Sequence, residues 1–83
     1  MEINQRSDTK WNDFLAVSYA EGFGEGEEST TEQQIEAWAW LIKSGQCWSL
    51  QGFFGRAAKN LIGSGVIDDT GTIDWEIVED NGI

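Results

Sequence analysis

Apolar positions recur at helical spacing in three stretches of this chain. In residues 9–20, TKWNDFLAVSYA, the side chains Trp11, Phe14, Leu15 and Ser18 share one face at i, i+3, i+4 and i+7. Ser7 or Asp8 can cap that first helix, because a short oxygen side chain accepts from the free N–H groups of the first turn. Gly22 is its natural stop. A second helix is predicted over about 31–43, with Ile35, Trp38, Ala39 and Ile42 on the same spacing. Ser29 with Glu32 reads as a capping box, and Thr30 or Thr31 with Gln33 or Gln34 reads so more loosely. Trp40 and Leu41 lie off the stripe, so this helix is apolar over more than half its circumference and belongs at the centre. Gly45 ends it.

The third helix starts after Ser49 as its N-cap, with Trp48 and Phe53 placed as a hydrophobic staple. Its buried stripe is Leu50, Phe53, Phe54, Ala57 and Leu61, and Gly63 stops it. Gly52 and Gly55 inside it each cost ~1 kcal/mol against alanine. Their presence predicts close approach of another backbone, or a binding notch built with Gln51 and Arg56. In the tail, Ile73, Trp75 and Ile77 alternate with polar residues at period two, after a turn at Asp69-Thr70-Gly71. Val66 and Ile67 would form the first arm of a hairpin. These elements predict one mainly α domain over residues 1–83: a compact three-helix body with a short C-terminal β-hairpin or extended tail. Residues 21–31, EGFGEGEESTT, join the first two helices as a flexible acidic loop. The ligand spacing of a calcium-binding EF-hand is missing from it.

Length and composition narrow the chemistry. Eighty-three residues make one domain. Histidine is absent and Cys47 is the single cysteine, so an internal disulfide, a histidine-based zinc site and a His-activated nucleophile are excluded. Cys47 is either a small buried apolar residue or a thiol activated by the helix start beside it. Five tryptophans and four phenylalanines supply the core of so short a chain, with association into a homodimer as the other route to stability. No apolar run is long enough for a membrane span. The N-terminus, MEINQRSDTK, lacks the apolar centre of a signal peptide, which predicts a cytoplasmic protein. No cofactor is expected.

The formal net charge of −10 is segregated. Residues 1–36 carry nine acidic and two basic side chains, residues 37–67 none and three, and residues 68–83 six and none. Such acid keeps a small protein soluble, and it also steers it toward a basic surface. Direct binding of nucleic acid is disfavoured, since phosphate affinity comes from Lys and Arg.

The stretch SGQCWSLQGFFGRAAKNLIGSGVI resembles the pattern W-x-L-Q-G-x-x-G-R-x-A-x-x-L-I-x-x-G-x-I of small uncharacterised bacteriophage proteins, through Trp48, Leu50, Gln51, Gly52, Gly55, Arg56, Ala58, Leu61, Ile62, Gly65 and Ile67. In that group an acidic YE-x-G-E loop and a short helix precede the pattern. This chain has Tyr19-Ala20-Glu21-Gly22, Glu25 and TEQQIEAWAWLIKSG in that place. The resemblance covers about residues 19–67 and implies a viral origin and a small helical fold, with the host cytoplasm as its place of action.

On that footing the acidic surface suggests an inhibitor of a host enzyme or defence complex. It would dock as a nucleic-acid mimic on a basic surface of a bacterial protein. Glu25, Glu27, Glu28, Glu32 and Glu36 would form one patch; Asp68, Asp69, Asp74, Glu76, Glu79 and Asp80 would form another. Trp40 and Trp75 are candidate anchors. The alternative is a phage structural or assembly component that binds phage proteins. A helix-turn-helix reading, with Lys43, Arg56 and Lys59 on phosphate, works against the net charge.

Overall fold

The computed structural model describes residues 2–21, 30–50 and 52–80. Along them run four α-helices: α1 (Asp13–Glu21), α2 (Thr31–Ser44), α3 (Gly52–Ser64) and α4 (Trp75–Asp80), with a 3₁₀ turn at Gln46–Trp48 between α2 and α3. The fold is mainly α, and no sheet forms among the described residues.

Helix α2 is the axis of the molecule. It buries Ile35, Ala37, Ala39, Leu41 and Ile42 on more than one side, as its broad apolar surface requires. Its start is the looser of the two capping alternatives. The Thr30 side chain accepts from the Gln33 N–H at 3.1 Å, and the Gln33 Oε1 accepts from the Thr30 N–H at 3.0 Å. A cap of this kind contributes about 1 kcal/mol. Gly45, at φ 80°, closes the helix in the left-handed region with its N–H on the Ile42 carbonyl, as its type predicts.

Helix α1 begins four residues later than its periodicity suggested. Asn12 caps it, with Oδ1 accepting from the Leu15 N–H at 2.8 Å. Trp11 therefore stands before the helix, buried, with its ring edge-on to Tyr19 at 5.0 Å. This rotates the expected face: Ala16 is fully buried while Phe14 is 79% exposed.

Helix α3 likewise differs in register. It starts at Gly52, so Ser49 does not cap it, and Trp48 lies against Gly55, 3.9 Å from where a Cβ would stand there. Phe54 and Ala58 take the buried positions; Phe53 is 48% exposed, and Ala57 and Leu61 are half-buried. The helix runs through Gly63 and ends at Gly65, whose φ of 86° and N–H bond to the Ile62 carbonyl make it the stop. Among the described residues no second backbone comes within 4 Å of a Cβ built at Gly52 or Gly55; those positions face the Arg56 side chain and the Trp48 ring. Rings join α3 to α2 instead: Trp38 meets Phe53 at 6.1 Å and Phe54 at 5.6 Å between centroids.

The tail forms no β-hairpin. One isolated antiparallel bridge, Ile67 to Ile73, spans the predicted turn, and residues 75–80 are helical. Asp74 decides this. Its Oδ1 accepts from the N–H groups of Glu76 at 3.1 Å and Ile77 at 3.3 Å, which is an N-cap. Trp75 and Val78, three residues apart, then face the core together. A close approach of backbones occurs instead at Gly71, where the sequence predicts only a turn. A Cβ there would stand 2.7 Å from the Lys43 nitrogen and 2.8 Å from the Ala39 oxygen of α2.

The N-terminal arm, residues 2–11, completes the core. Ile3 is buried, its carbonyl accepts from the Ile73 N–H, and the Asn4 amide donates to the Ile73 carbonyl at 3.0 Å. Cys47 lies fully buried in the 3₁₀ turn. Desolvation pushes its thiol above the ordinary value, against a lowering backbone hydrogen bond. It is a packed apolar group, and the activated thiol considered from sequence is not what this burial produces.

Candidate functional site

The acidic residues divide into exposed and structural ones. Glu36 belongs to the second kind and leaves the predicted patch, because it is fully buried on α2. Its Oε2 accepts from the Arg6 and Ser7 N–H groups at 2.8 and 2.9 Å, and its Oε1 accepts from the Ser7 hydroxyl and from the Trp11 indole at 3.1 Å. Four donors converge on one carboxyl group, so its burial is met by hydrogen bonds. Glu36 therefore pins the N-terminal arm to α2.

Glu32, by contrast, is exposed on the first turn of α2, and all six acids of the tail are exposed: Asp68, Asp69, Asp74, Glu76, Glu79 and Asp80. Glu25, Glu27 and Glu28 lie outside the described residues. Glu32 of the first predicted patch and Glu79 of the second meet in space at Arg6. Its Nη2 lies 2.7 Å from Glu79 Oε1 and its Nη1 3.8 Å from Glu32 Oε2. Its guanidinium carbon sits 4.6 Å from the centre of the Trp75 ring. These are the ion pairs found among the described residues, and both involve Arg6. Residues 68–80 thus present six carboxylates, with the Arg6 guanidinium on Glu79 and the positive charge of Lys43 close enough to act on Asp68.

Within that surface Asp68 is fixed by its own turn. Its Oδ1 accepts from the Thr70 hydroxyl at 2.6 Å, the Thr70 N–H at 2.9 Å and the Thr72 N–H at 3.0 Å. The Thr70 hydroxyl first, then the backbone N–H groups, hold the carboxyl below the usual aspartate value. The charge therefore favours the folded turn above about pH 4, and that support is lost as pH falls through the lowered folded value. A carbon-detected NMR titration should place the Asp68 midpoint below 3.9, the ordinary aspartate value. The carboxylates of Asp68, Asp74 and Glu76 border an open depression of about 430 Å³ beside Trp75.

Neither anchor tryptophan is a free ring. Trp75 is 7% exposed and its indole N–H donates to the Asn4 carbonyl at 2.6 Å, so it is a core residue with one face under Arg6. Trp40 is half-buried, and its indole N–H is held by Asp13 at 2.9 Å. The exposed rings among the described residues are Phe14 on α1 and, at 48% each, Trp48 and Phe53, the pair expected from sequence to form the staple. Beside Phe53, Trp38, Ile35, Ala57 and Leu61 line an apolar groove of about 350 Å³ between α2 and α3. Of the proposed notch, Gln51 lies outside the described residues. Arg56 is exposed and curls back toward Gly52, 3.2 Å from the position of an added Cβ.

Nothing in the residue pattern marked Arg6 as a joining residue. The usable signal was indirect: it is one of two cations in an otherwise acidic first zone. No group of three acidic or cysteine side chains is arranged to hold a metal ion among the described residues. No helix among them is long and apolar enough to cross a membrane.

No curated protein and no solved structure matches the chain. A family match does exist, and it is wider than the resemblance read from residues 19–67, for it takes in α2, α3, the Asp68 turn and α4. It leaves out the N-terminal arm. Through residues 17–81 the chain belongs to the family described as Domain of unknown function (DUF7417).

Proposed function

We propose that this chain is a protein-binding module of bacteriophage type, an inhibitor that lays its acidic face on a basic nucleic-acid-binding surface of a bacterial protein. One observation carries the reading. Residues 68–80 expose six carboxylates, and Arg6 ties Glu32 to Glu79 among them, while among the described residues the only other cation shown acting on these acids is Lys43, at Asp68. Carboxylates arrayed in this way present to a partner the charge that phosphates present. The same field repels phosphate, which supports a protein partner over direct nucleic-acid binding.

The test is competition. The purified chain should capture a protein from bacterial lysate at ~0.15 M salt, and that protein's binding to nucleic acid should fall as the chain is added. Capture should collapse by ~1 M salt, where the screening length is ~3 Å. A triple charge reversal, Asp69→Lys, Glu76→Lys and Asp80→Lys, should weaken capture at least about tenfold while circular dichroism shows the helices intact. Capture indifferent to both salt and charge reversal would overturn the reading.

A second reading, a phage assembly component, is favoured by the α2–α3 groove and by the half-exposed rings of Trp48 and Phe53. Contact there would be apolar and little affected by salt. Recovery of the chain in purified phage particles, lost on Phe53→Ser, would select it.

A further inference from the structure

The acidic face contains a formed receptor for a guanidinium group. Trp75 supplies an aromatic floor, Glu79 a carboxylate at 2.7 Å and Glu32 a second at 3.8 Å, and the group seated there is the side chain of Arg6. A planar cation stacked on a ring with its N–H groups on carboxylates is how arginine is recognised, and lysine lacks both the plane and the fork. The walls and the occupant have different origins in the chain. Trp75, Glu32 and Glu79 all lie within the stretch that matches the family, whereas Arg6 comes from the arm that precedes it.

We infer that Arg6 is a tethered occupant of an arginine-binding cage, and that an arginine of the basic partner takes its place when the acidic face docks. This rests on the docking function proposed above and names the side chain it selects. Displacement is feasible because the occupant is held at the surface. Its side chain is 43% exposed and those of Glu32 and Glu79 are 52% and 60% exposed, so water can reach each group as the exchange proceeds. The anchors of the arm are separate from the cage: the backbone N–H groups of Arg6 and Ser7 remain on Glu36 whatever the guanidinium does. The tether raises the local concentration of the native occupant, so a competing arginine binds the wild-type chain more weakly than it would bind an open cage.

The experiment measures binding of a hexa-arginine peptide by calorimetry to the full chain and to Arg6→Gln and Lys10→Ala. Each variant removes one positive charge, but only the first opens the cage; Lys10 is exposed and forms no ion pair among the described residues. Arg6→Gln should bind hexa-arginine at least about fivefold more tightly than Lys10→Ala, a step of the size expected for a freed ring and carboxylate. The gain should be smaller for hexa-lysine. It should vanish when Glu79→Gln is added to Arg6→Gln, and the Trp75 indole N–H signal should shift on titration. Equal binding by the two single variants would reduce the effect to net charge and overturn the inference. So would absence of binding by all of them. Neither result touches the docking function, which stands or falls on salt-sensitive capture; loss of that capture alone would remove the function and leave the cage.

Discussion

Glu36→Ala is expected to cost about 3 kcal/mol or more and to lower the melting temperature by well over 10 °C. The change removes one acceptor group and strands four donors: the Arg6 and Ser7 N–H groups, the Ser7 hydroxyl and the Trp11 indole. Each buried donor left without a partner costs ~1–3 kcal/mol, and the truncated side chain leaves a cavity beside α2. Solvent can rescue the two backbone groups, which are only part-buried; it cannot easily reach the Trp11 indole, whose bond to Glu36 is buried. A domain of this size has a total stability of roughly 4–12 kcal/mol, and 1 kcal/mol shifts its midpoint by ~4–8 °C. Glu36→Gln keeps the volume but turns one acceptor into a donor among donors, so it should fall between wild type and alanine. Urea unfolding followed by tryptophan fluorescence measures all three. An alanine variant within 0.5 kcal/mol of wild type would mean that the arm is not pinned through Glu36.

The same residue shows how far the sequence could be read. Helix α2 was legible almost to its ends, because a capping box, a broad apolar surface and a C-cap glycine all agree with one another over residues 30–45. Agreement of independent local signals is what makes an element certain before it is seen. Glu36 was misplaced because composition cannot tell a solvated carboxylate from a satisfied one: its acceptors are filled by donors 25 to 30 residues away. The tail failed for a different reason. Ile73, Trp75 and Ile77 fit period two, yet Trp75 and Val78 also fit a helical turn, and over so few residues the Asp74 cap outweighs the alternation. Helix α3 was found but its buried face was turned: Phe54 is in the core as expected, Ala58 takes the place given to Ala57, and Phe53 is exposed. An apolar run such as LQGFFGRAA has rings on adjacent faces, and only the partner helix chooses between them.

For function, the consequence is a division of labour that sequence could state only in outline. Acid and apolar surface do occupy different places: carboxylates cover the Asp68 turn and α4, while α3 carries none and shows Phe53 beside the groove. The acid-free segment is therefore partly surface, and it is not simply the core its composition suggested. What links Glu32 to Glu79 is Arg6, in the arm that lies before the family match.

The turn that carries this acidic face depends on Gly71, and Gly71→Ala should be the most damaging substitution among the described glycines. Two separate costs add there. The residue sits at φ 87°, where an L side chain costs ~1–2 kcal/mol. Its Cβ would also stand 2.6 Å from the Lys43 Cβ, 2.7 Å from the Lys43 nitrogen and 2.8 Å from the Ala39 oxygen. Two of those atoms are the backbone of α2, which cannot yield as a side chain can, so the turn itself must lift; overpacking of this sort adds ~1–3 kcal/mol. Lifting it would pull on Ile67 and Ile73, both buried, on either side of the isolated bridge. Gly45 and Gly65 provide the internal controls. Gly45 has φ 80° and open space around its Cβ position, so Gly45→Ala should show the backbone cost alone. At Gly65, φ 86°, the added methyl meets the tip of the Ile77 side chain at 3.0 Å, which can move. The expected order of destabilisation is therefore Gly45→Ala, then Gly65→Ala, then Gly71→Ala, with the last at about 2–5 kcal/mol. Thermal melts of the three variants decide it: if Gly71→Ala melts with Gly45→Ala, the turn does not rest on α2, and the acidic face is not held where the tail helix and Arg6 place it.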